Sequence, residues 1–253
     1  MLCHPSTSHF CFEYSTLGWA CGYNNAQVLL SYLKQTMPNE FRTAFGERVP
    51  SIHKLQTMIE EGWQKGIDPE GSAQLRTRIV NTRKWIGTTE IYTFLTSGSF
   101  RYILFEMPLT GNRCLVHDFN IRSPPYVDSL VKYVDEYFKG ADSKFVQPST
   151  SRCAVTNRAP LYLQHSGHSR SIVGIEHLTN GKINLLLFDP GRKPSAVVKN
   201  LANGKVEKIK DLSDKLLKPY RVSIEDIKKR KEYQILRCAT VRHWLTDADC
   251  RME

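Results

Sequence analysis

The order of patterns along this chain predicts an α+β fold: helical stripes in the first half, short strands in the second. Three observations carry that prediction. Apolar residues recur at three and four residues up to about residue 140, and β-prone runs bracket an Asn-Gly turn beyond residue 160. Neither an internal repeat nor a low-complexity linker interrupts the chain.

The elements follow in order. In Gln27 to Lys34, the residues Val28, Leu29, Tyr32 and Leu33 form one helix stripe. Ile52, Leu55, Ile59 and Trp63 repeat it ahead of a Gly-rich stop, GIDPEG. Val127 to Lys139 places Val127, Leu130, Val131, Val134, Tyr137 and Phe138 on one face, with Gly140 as the C-terminal cap. Leu161 to Gln164 and Ser171 to His177 are short β-prone runs. Asn180-Gly181 reads as a two-residue hairpin turn into the apolar strand Ile183 to Phe188. A last strand is expected at Tyr233 to Val241, after an excursion from Pro194 to Lys231.

With 253 residues, 41% hydrophobic and 24% charged, the chain suits one globular domain that buries its core without disulfide or metal staples. No window reaches the roughly 18 apolar residues of a membrane span, and MLCHPSTSHFCFEY has no secretory pattern. Seven scattered cysteines then favour reduced thiols and an intracellular setting, cytoplasm or nucleus. The net charge of +10 gathers between Lys205 and Arg237, densest at KKRK, Lys228 to Lys231. No aromatic interleaving or finger spacing accompanies it, so it reads as a solvated face and a nucleic-acid partner is not expected.

The stretch GWACGYNNAQVLLSYL sets Cys21 directly ahead of a helical run. A helix N-terminus favours an anion, so a thiolate there would be stabilised. Cysteine is also among the most buried residue types, and an inert packing role stays open. A nucleophile needs a base and the base an orienting group. His168 begins one β-prone run and Asp189 ends the next. Counted from a two-residue turn at Asn180-Gly181, Asp189 falls opposite Ile172, on the same sheet face as His168 but four residues beyond direct pairing. A bulge, a larger turn or strong twist has to close that gap. His165 is a competing base. Cys3, His4, His9 and Cys11 lack a second ligand pair, so no metal is expected. A phosphate loop and a GxSxG elbow are both absent.

GWACGYNNAQVLL resembles the GWGCGYRN nucleophile motif of the C78 cysteine peptidases, which comprise the proteases for the ubiquitin-fold modifier and the zinc-finger-containing ubiquitin peptidases. Three further blocks share the resemblance: IHKLQTMIEEGWQKGIDPEGSAQL, RKWIGTTEIYTFL, and LYLQHSGHSRSIVGIE leading to LLLFDPG. The resemblance implies a papain-like fold over residues 18–253, a helix carrying the nucleophile packed on an antiparallel sheet carrying the histidine and aspartate. Residues 1–17 are expected to be a partly disordered lead-in. It implies Cys21 as nucleophile, His168 as general base and acid, and Asp189 as the orienting carboxylate, with no cofactor. Gln164 and Tyr14 are candidate oxyanion donors. Asp68 and Glu90 are implied to hold the arginines of a ubiquitin tail, with Trp85 walling the channel.

The modifier-directed members take their histidine from an Asp-Pro-His motif; here that position is Gly191, which points to the ubiquitin-directed branch and lysine-sixty-three-linked chains. Ubiquitin or polyubiquitin is the expected partner of a monomeric enzyme. A protease for the ubiquitin-fold modifier and an inactive ubiquitin-binding module are the alternatives. Two departures stand in the nucleophile motif, Ala20 for glycine and Asn24 for arginine.

Overall fold

Helix α1 (Cys21–Thr36) is buried along almost its whole length and organises the molecule. The structure, a computed structural model, describes residues 1–97, 114–122, 125–140, 153–205 and 216–238. Tyr23, Ala26, Leu29, Leu30 and Leu33 of α1 are sealed from solvent. Burying one such leucine contributes about 1.5–3 kcal/mol of transfer free energy, so this helix is held by packing rather than by propensity. Pro38 opens the short α2 (Pro38–Phe45) at its first position, where its missing N–H costs nothing.

The stripe read at Ile52 is α3 (Ile52–Gln64), capped by the Ser51 side chain accepting from the Lys54 N–H. α4 (Pro69–Gln74) and α5 (Thr88–Ser97) follow. α3 and α5 pack so closely that a methyl on Gly62 would meet Thr93 Cγ2 at 2.5 Å. The stripe of Val127 to Lys139 is α6 (Tyr126–Lys139), closed at Gly140 with an ordinary φ of −71°.

Six strands form one antiparallel sheet in the order β1-β6-β2-β3-β4-β5. They are β1 (Cys114–Asn120), β2 (Leu161–His165), β3 (His168–His177), β4 (Ile183–Phe188), β5 (Arg221–Ser223) and β6 (Glu232–Cys238). Residues 239–241 of the expected last strand lie outside the described residues. The excursion holds α7 (Ala196–Ala202), β5 and α8 (Ile224–Lys228), the two helices capped by Ser195 and Ser223. Lys228 to Lys231 is exposed, with Lys229 paired to Asp226 at 2.5 Å.

One face of the sheet packs on α1 through Tyr162 and Leu236. The other packs on α6 through Leu161, Leu163, Ile172, Ile175, Leu187 and Ile235. Together these layers give the α+β arrangement that the sequence predicts.

The β3–β4 turn differs from the expected one. Leu178 N–H donates to the Lys182 carbonyl at 2.9 Å and Gly181 N–H to the Leu178 carbonyl at 3.0 Å, with Gly181 at φ +79°. That is a three-residue loop ending in a left-handed glycine, not a two-residue turn at Asn180-Gly181. His177 therefore pairs with Ile183. A bulge at Val173 shifts the register again, so Ile172 pairs with Leu187 and Ser171 with Phe188. Continued one step, the ladder brings Asp189 opposite Arg170, two residues from His168 rather than four. Both devices foreseen to close the gap, a bulge and a larger turn, are present. Two one-residue shifts preserve the parity, and Asp189 keeps the face of His168.

Residues 1–12 touch the sheet at several points, and Tyr14–Thr16 form an exposed 3-10 turn. β2 stops pairing after Ile172, and residues 1–3 take the open edge of β3 beyond it. The Ile175 N–H donates to the Met1 carbonyl at 2.9 Å and the Cys3 N–H to the Val173 carbonyl at 2.8 Å. A methyl on Gly174 would stand 2.4 Å from the Met1 carbonyl, so the approach needs glycine. Farther on, His9 Nε2 meets the Asp189 carbonyl at 3.0 Å and the Phe12 N–H donates to the Pro190 carbonyl at 2.9 Å. No helix among the described residues is long and apolar enough to cross a membrane.

Candidate active site

Cys21 is the first residue of α1, and Ala20 before it offers no side-chain cap. The first N–H groups of the helix are thus left for whatever lies above Cys21. His168 is the first residue of β3, paired directly with His165 across a tight turn whose Gly167 has φ +84°. The turn requires that glycine and delivers the imidazole to the sheet's end, beside the start of α1.

His168 Nε2 lies 3.0 Å from Asp189 Oδ1, and the Cys21 thiol stands near enough to the ring for the two to shift each other's titration. With Nε2 committed to the carboxylate, Nδ1 is the nitrogen left for sulfur. Asp189 is held from three sides. Gly191 N–H donates to Oδ1 at 2.9 Å and Arg170 Nε to Oδ2 at 2.8 Å, alongside the His168 bond. The three sequence-predicted groups, far apart in the chain, stand as one connected row.

The electrostatics agree with the geometry. Burial alone would raise the Asp189 carboxyl, but His168, Gly191 and Arg170 outweigh it and hold it well below the usual carboxylate range. Burial alone would lower His168; its bonds to Asp189 and Cys21 instead push it up to about 9. Burial would raise the Cys21 thiol, and hydrogen bonds from His168 and Ser169 turn the net shift downward. Sulfur and imidazole therefore titrate as a pair that favours thiolate and imidazolium.

A cleft of about 360 Å³ opens over Cys21. Trp85 and Gly167 face each other across it, a methyl on Gly167 lying 3.8 Å from the indole. Trp85 is half exposed and lines the cleft. Glu90 also lines it and is 6% exposed. Its Oε2 accepts from Gly87 N–H at 2.6 Å, and burial, with the nearby Asp68 charge, pushes its carboxyl up. Asp68 caps α4 through the Gly71 N–H in a left-handed conformation, φ 53°. Its Oδ2 is buried without a partner, and Asp68 does not itself line the cleft.

Gln164 lines the cleft; Tyr14 does not. Tyr14 sits 98% exposed in a 3-10 turn, Tyr14–Thr16, facing solvent, which removes the ground for reading it as an oxyanion donor. His165 is buried, its Nδ1 2.9 Å from the Ser166 carbonyl, and its ring centre lies 6.1 Å from that of His168. The Asp189 carboxylate bonds His168 and not His165. The Ala20 methyl is buried in the core and does not line the cleft, and Asn24 bonds Gln27 along the helix at 3.2 Å. Of the four N-terminal residues considered as ligands, Cys3 bonds Thr7 and His4 bonds Ser6. No group of three or more His, Cys, Asp or Glu among the described residues is placed to hold a metal.

Three contributors escaped the sequence reading: Arg170, Ser169 and Asn25. Arg170 shares the parity of His168, which is the signal that could have found it. Ser169 and Ser171 are polar residues inside an apolar strand, a pattern calling for a buried polar partner. That partner is Asn25, whose Nδ2 donates to Ser169 Oγ at 3.2 Å and whose Oδ1 accepts from Ser171 at 2.7 Å.

Residues 1–236 match the sequence profile of peptidase family C78. Zinc finger-containing ubiquitin peptidase 1 of Mus musculus is 35% identical over 231 residues, covering 90% of this chain and 35% of that protein. Ubiquitin carboxyl-terminal hydrolase mug105 of Schizosaccharomyces pombe is 35% identical over 179 residues, covering 70% of this chain and 62% of that one. The crystal structure of UfSP from C.elegans overlays 92% of this chain and 32% of its own, with a TM-score of 0.49 at 17% identity. The chain spans about a third of the length of the zinc-finger relatives it matches.

Proposed function

Because the chain belongs to peptidase family C78, we propose that it is a deubiquitinating cysteine protease that cleaves the isopeptide bond after the C-terminal glycine of ubiquitin. The observation that carries this is the connected row from the Cys21 sulfur through the His168 ring to the Asp189 carboxylate. The names of the relatives at about 35% identity support ubiquitin as the substrate, as does Gly191 where the modifier-directed members have histidine. The reading carries with it a preference for lysine-sixty-three-linked chains, and action as a monomer in cytoplasm or nucleus.

The chemistry runs as the geometry allows. His168 takes the Cys21 proton, and the thiolate attacks the glycine carbonyl to give a tetrahedral oxyanion. Cys21 N–H at the start of α1 and the Gln164 side-chain amide donate to that oxygen. Protonated His168 passes its proton to the departing lysine amine, leaving a thioester. Water, deprotonated by the same imidazole, hydrolyses the thioester and frees the sulfur. Asp189 holds the ring in place and stabilises its charge throughout. The Trp85–Gly167 gap admits a glycine tail and excludes larger side chains, while Glu90, with Asp68 beside it, takes a tail arginine.

The test uses two activity probes with electrophilic C-termini, one made from ubiquitin and one from the ubiquitin-fold modifier. The expected result is a covalent adduct on Cys21 with the ubiquitin probe, followed by faster cleavage of lysine-sixty-three-linked than of other diubiquitins. An adduct with the modifier probe alone assigns a different substrate. No adduct with either leaves a binding module.

A further inference from the structure

Resting on the reading of Gln164 as an oxyanion donor, we infer that Tyr162 is a positioning residue that decides which end of the Gln164 amide faces the reacting carbonyl. A primary amide has a donor end and an acceptor end of nearly the same shape, and only the NH2 end stabilises an oxyanion. Something has to hold it that way round.

The orientation propagates from one fixed point. The Cys21 carbonyl can only accept, so the Asn25 amide must turn Nδ2 toward it, at 2.9 Å. The same Nδ2 then donates to Ser169 Oγ, and Asn25 Oδ1 receives the Ser171 hydroxyl. Ser169 Oγ has accepted, so its own proton is free to pass onward. Ser169 stands near enough to both the Tyr162 hydroxyl and the Cys21 sulfur to influence each. Tyr162 Oη in turn donates its one proton to Gln164 Oε1 at 3.0 Å. With Oε1 occupied, Nε2 and both its hydrogens are left for the cleft.

Two further observations keep the arrangement in place. Tyr162 is fully buried, and burial pushes its phenol up, so the proton it donates is always present. From the other side, a methyl on Gly87 would stand 2.8 Å from the Gln164 amide nitrogen and oxygen. The amide is held between a phenol that bonds one end and a backbone that leaves no room to swing. Tyr162 thus fixes the orientation of the oxyanion donor, with Ser169 and Asn25 next to it on the side of the nucleophile's helix.

The test is a double-mutant cycle on the full chain, with a fluorogenic amide of the ubiquitin C-terminus as substrate. Gln164→Ala should lower kcat by about 10²–10³. Tyr162→Phe keeps the ring and removes one hydrogen bond, and should lower kcat about five- to tenfold at unchanged KM. Placed on Gln164→Ala, it should cause no further loss. Alkylation of Cys21 by iodoacetamide, which forms no oxyanion, should proceed at the wild-type rate in Tyr162→Phe. Gly87→Ala presses on the same amide from the opposite side and gives the same non-additivity if the Phe variant does not fold. Additive losses, a wild-type kcat in Tyr162→Phe, or alkylation falling in step with kcat each overturn the inference. A wild-type protein that is alkylated at Cys21 yet turns over no ubiquitin substrate sinks the parent reading, and this one with it.

Discussion

The two faces of the sheet are built on different principles. Toward α6 the sheet offers Leu161, Leu163, Ile172 and Ile235 to Leu130, Val134 and Phe138, an interior without a polar side chain among those named. Toward the first turns of α1 it offers Tyr162, Gln164, Ser169 and Ser171, and the helix answers with Asn25. Apolar contact is non-directional and specifies how layers stack. Hydrogen bonds in a buried network specify which way each group points, because a wrong orientation leaves a polar atom unpaired. The α6 face fixes the fold and carries Arg170 and His168 at its end, while the α1 face fixes the orientation of Gln164 at the cleft.

The sharpest way to break that division is at the sulfur. Cys21→Ala should reduce turnover by more than about 10⁴-fold while the denaturant midpoint stays near wild type, since it removes one small atom from a cleft wall. Residual turnover at even a hundredth of wild type would contradict the assignment of the nucleophile. Next comes the opposite face. Leu130 is fully buried in α6, so Leu130→Ala should destabilise by about 2–5 kcal/mol in denaturant titrations. Its kcat per folded molecule should be unchanged, and a proportional fall in kcat would show that the two faces are not separable.

A smaller effect is expected at the cleft wall. Glu90→Gln keeps the bond to Gly87 and removes the charge, so KM for a ubiquitin substrate should rise about ten- to a hundredfold with kcat little changed. Unchanged KM would remove Glu90 from the tail site. The mildest probe is pH. Asp189 is held below its ordinary value, so its stabilisation is present above about pH 3.9 and lost as pH falls through its folded value. His168 is raised to about 9, so its stabilisation is full below about pH 6.5 and lost as pH climbs toward that value. The lowered Cys21 thiol, whose stabilisation grows with pH, offsets part of this loss, and with His168 carrying the larger shift the midpoint of wild-type unfolding should decline between those two limits. The decline should persist in Leu130→Ala and shrink in Cys21→Ala, where the ring has lost its sulfur partner.

Much of this was legible in the chain. α3 and α6 show clean stripes because each buries one side only, and Ile183 to Phe188 reads as a strand because, Asn184 apart, it is apolar between turns. α5 was passed over because Ile91, Thr93, Phe94, Leu95 and Thr96 are all buried, and a helix enclosed all round has no stripe to detect. Glu90 is visible only through the family resemblance for the same reason. The meeting of Cys21 with His168 could be hoped for but not read, since it depends on how α1 crosses β3. Asn25 and Tyr162 were hidden by their types: within apolar runs they look like filler, and only their partners reveal that they are directional.

The bulge at Val173 carries a consequence for how such a chain can change. Above it Ile175 faces α6, and below it Ile172 does, so β3 turns over at that point. A three-residue loop without the bulge would seat Asp189 beside Ser171, its carboxylate paired with the wrong layer. The lengthened loop and the extra residue are therefore a matched couple, and descendants that lose one must lose the other. Length change in this hairpin is quantised in twos, a constraint that comes from catalysis and that no stability measurement would disclose.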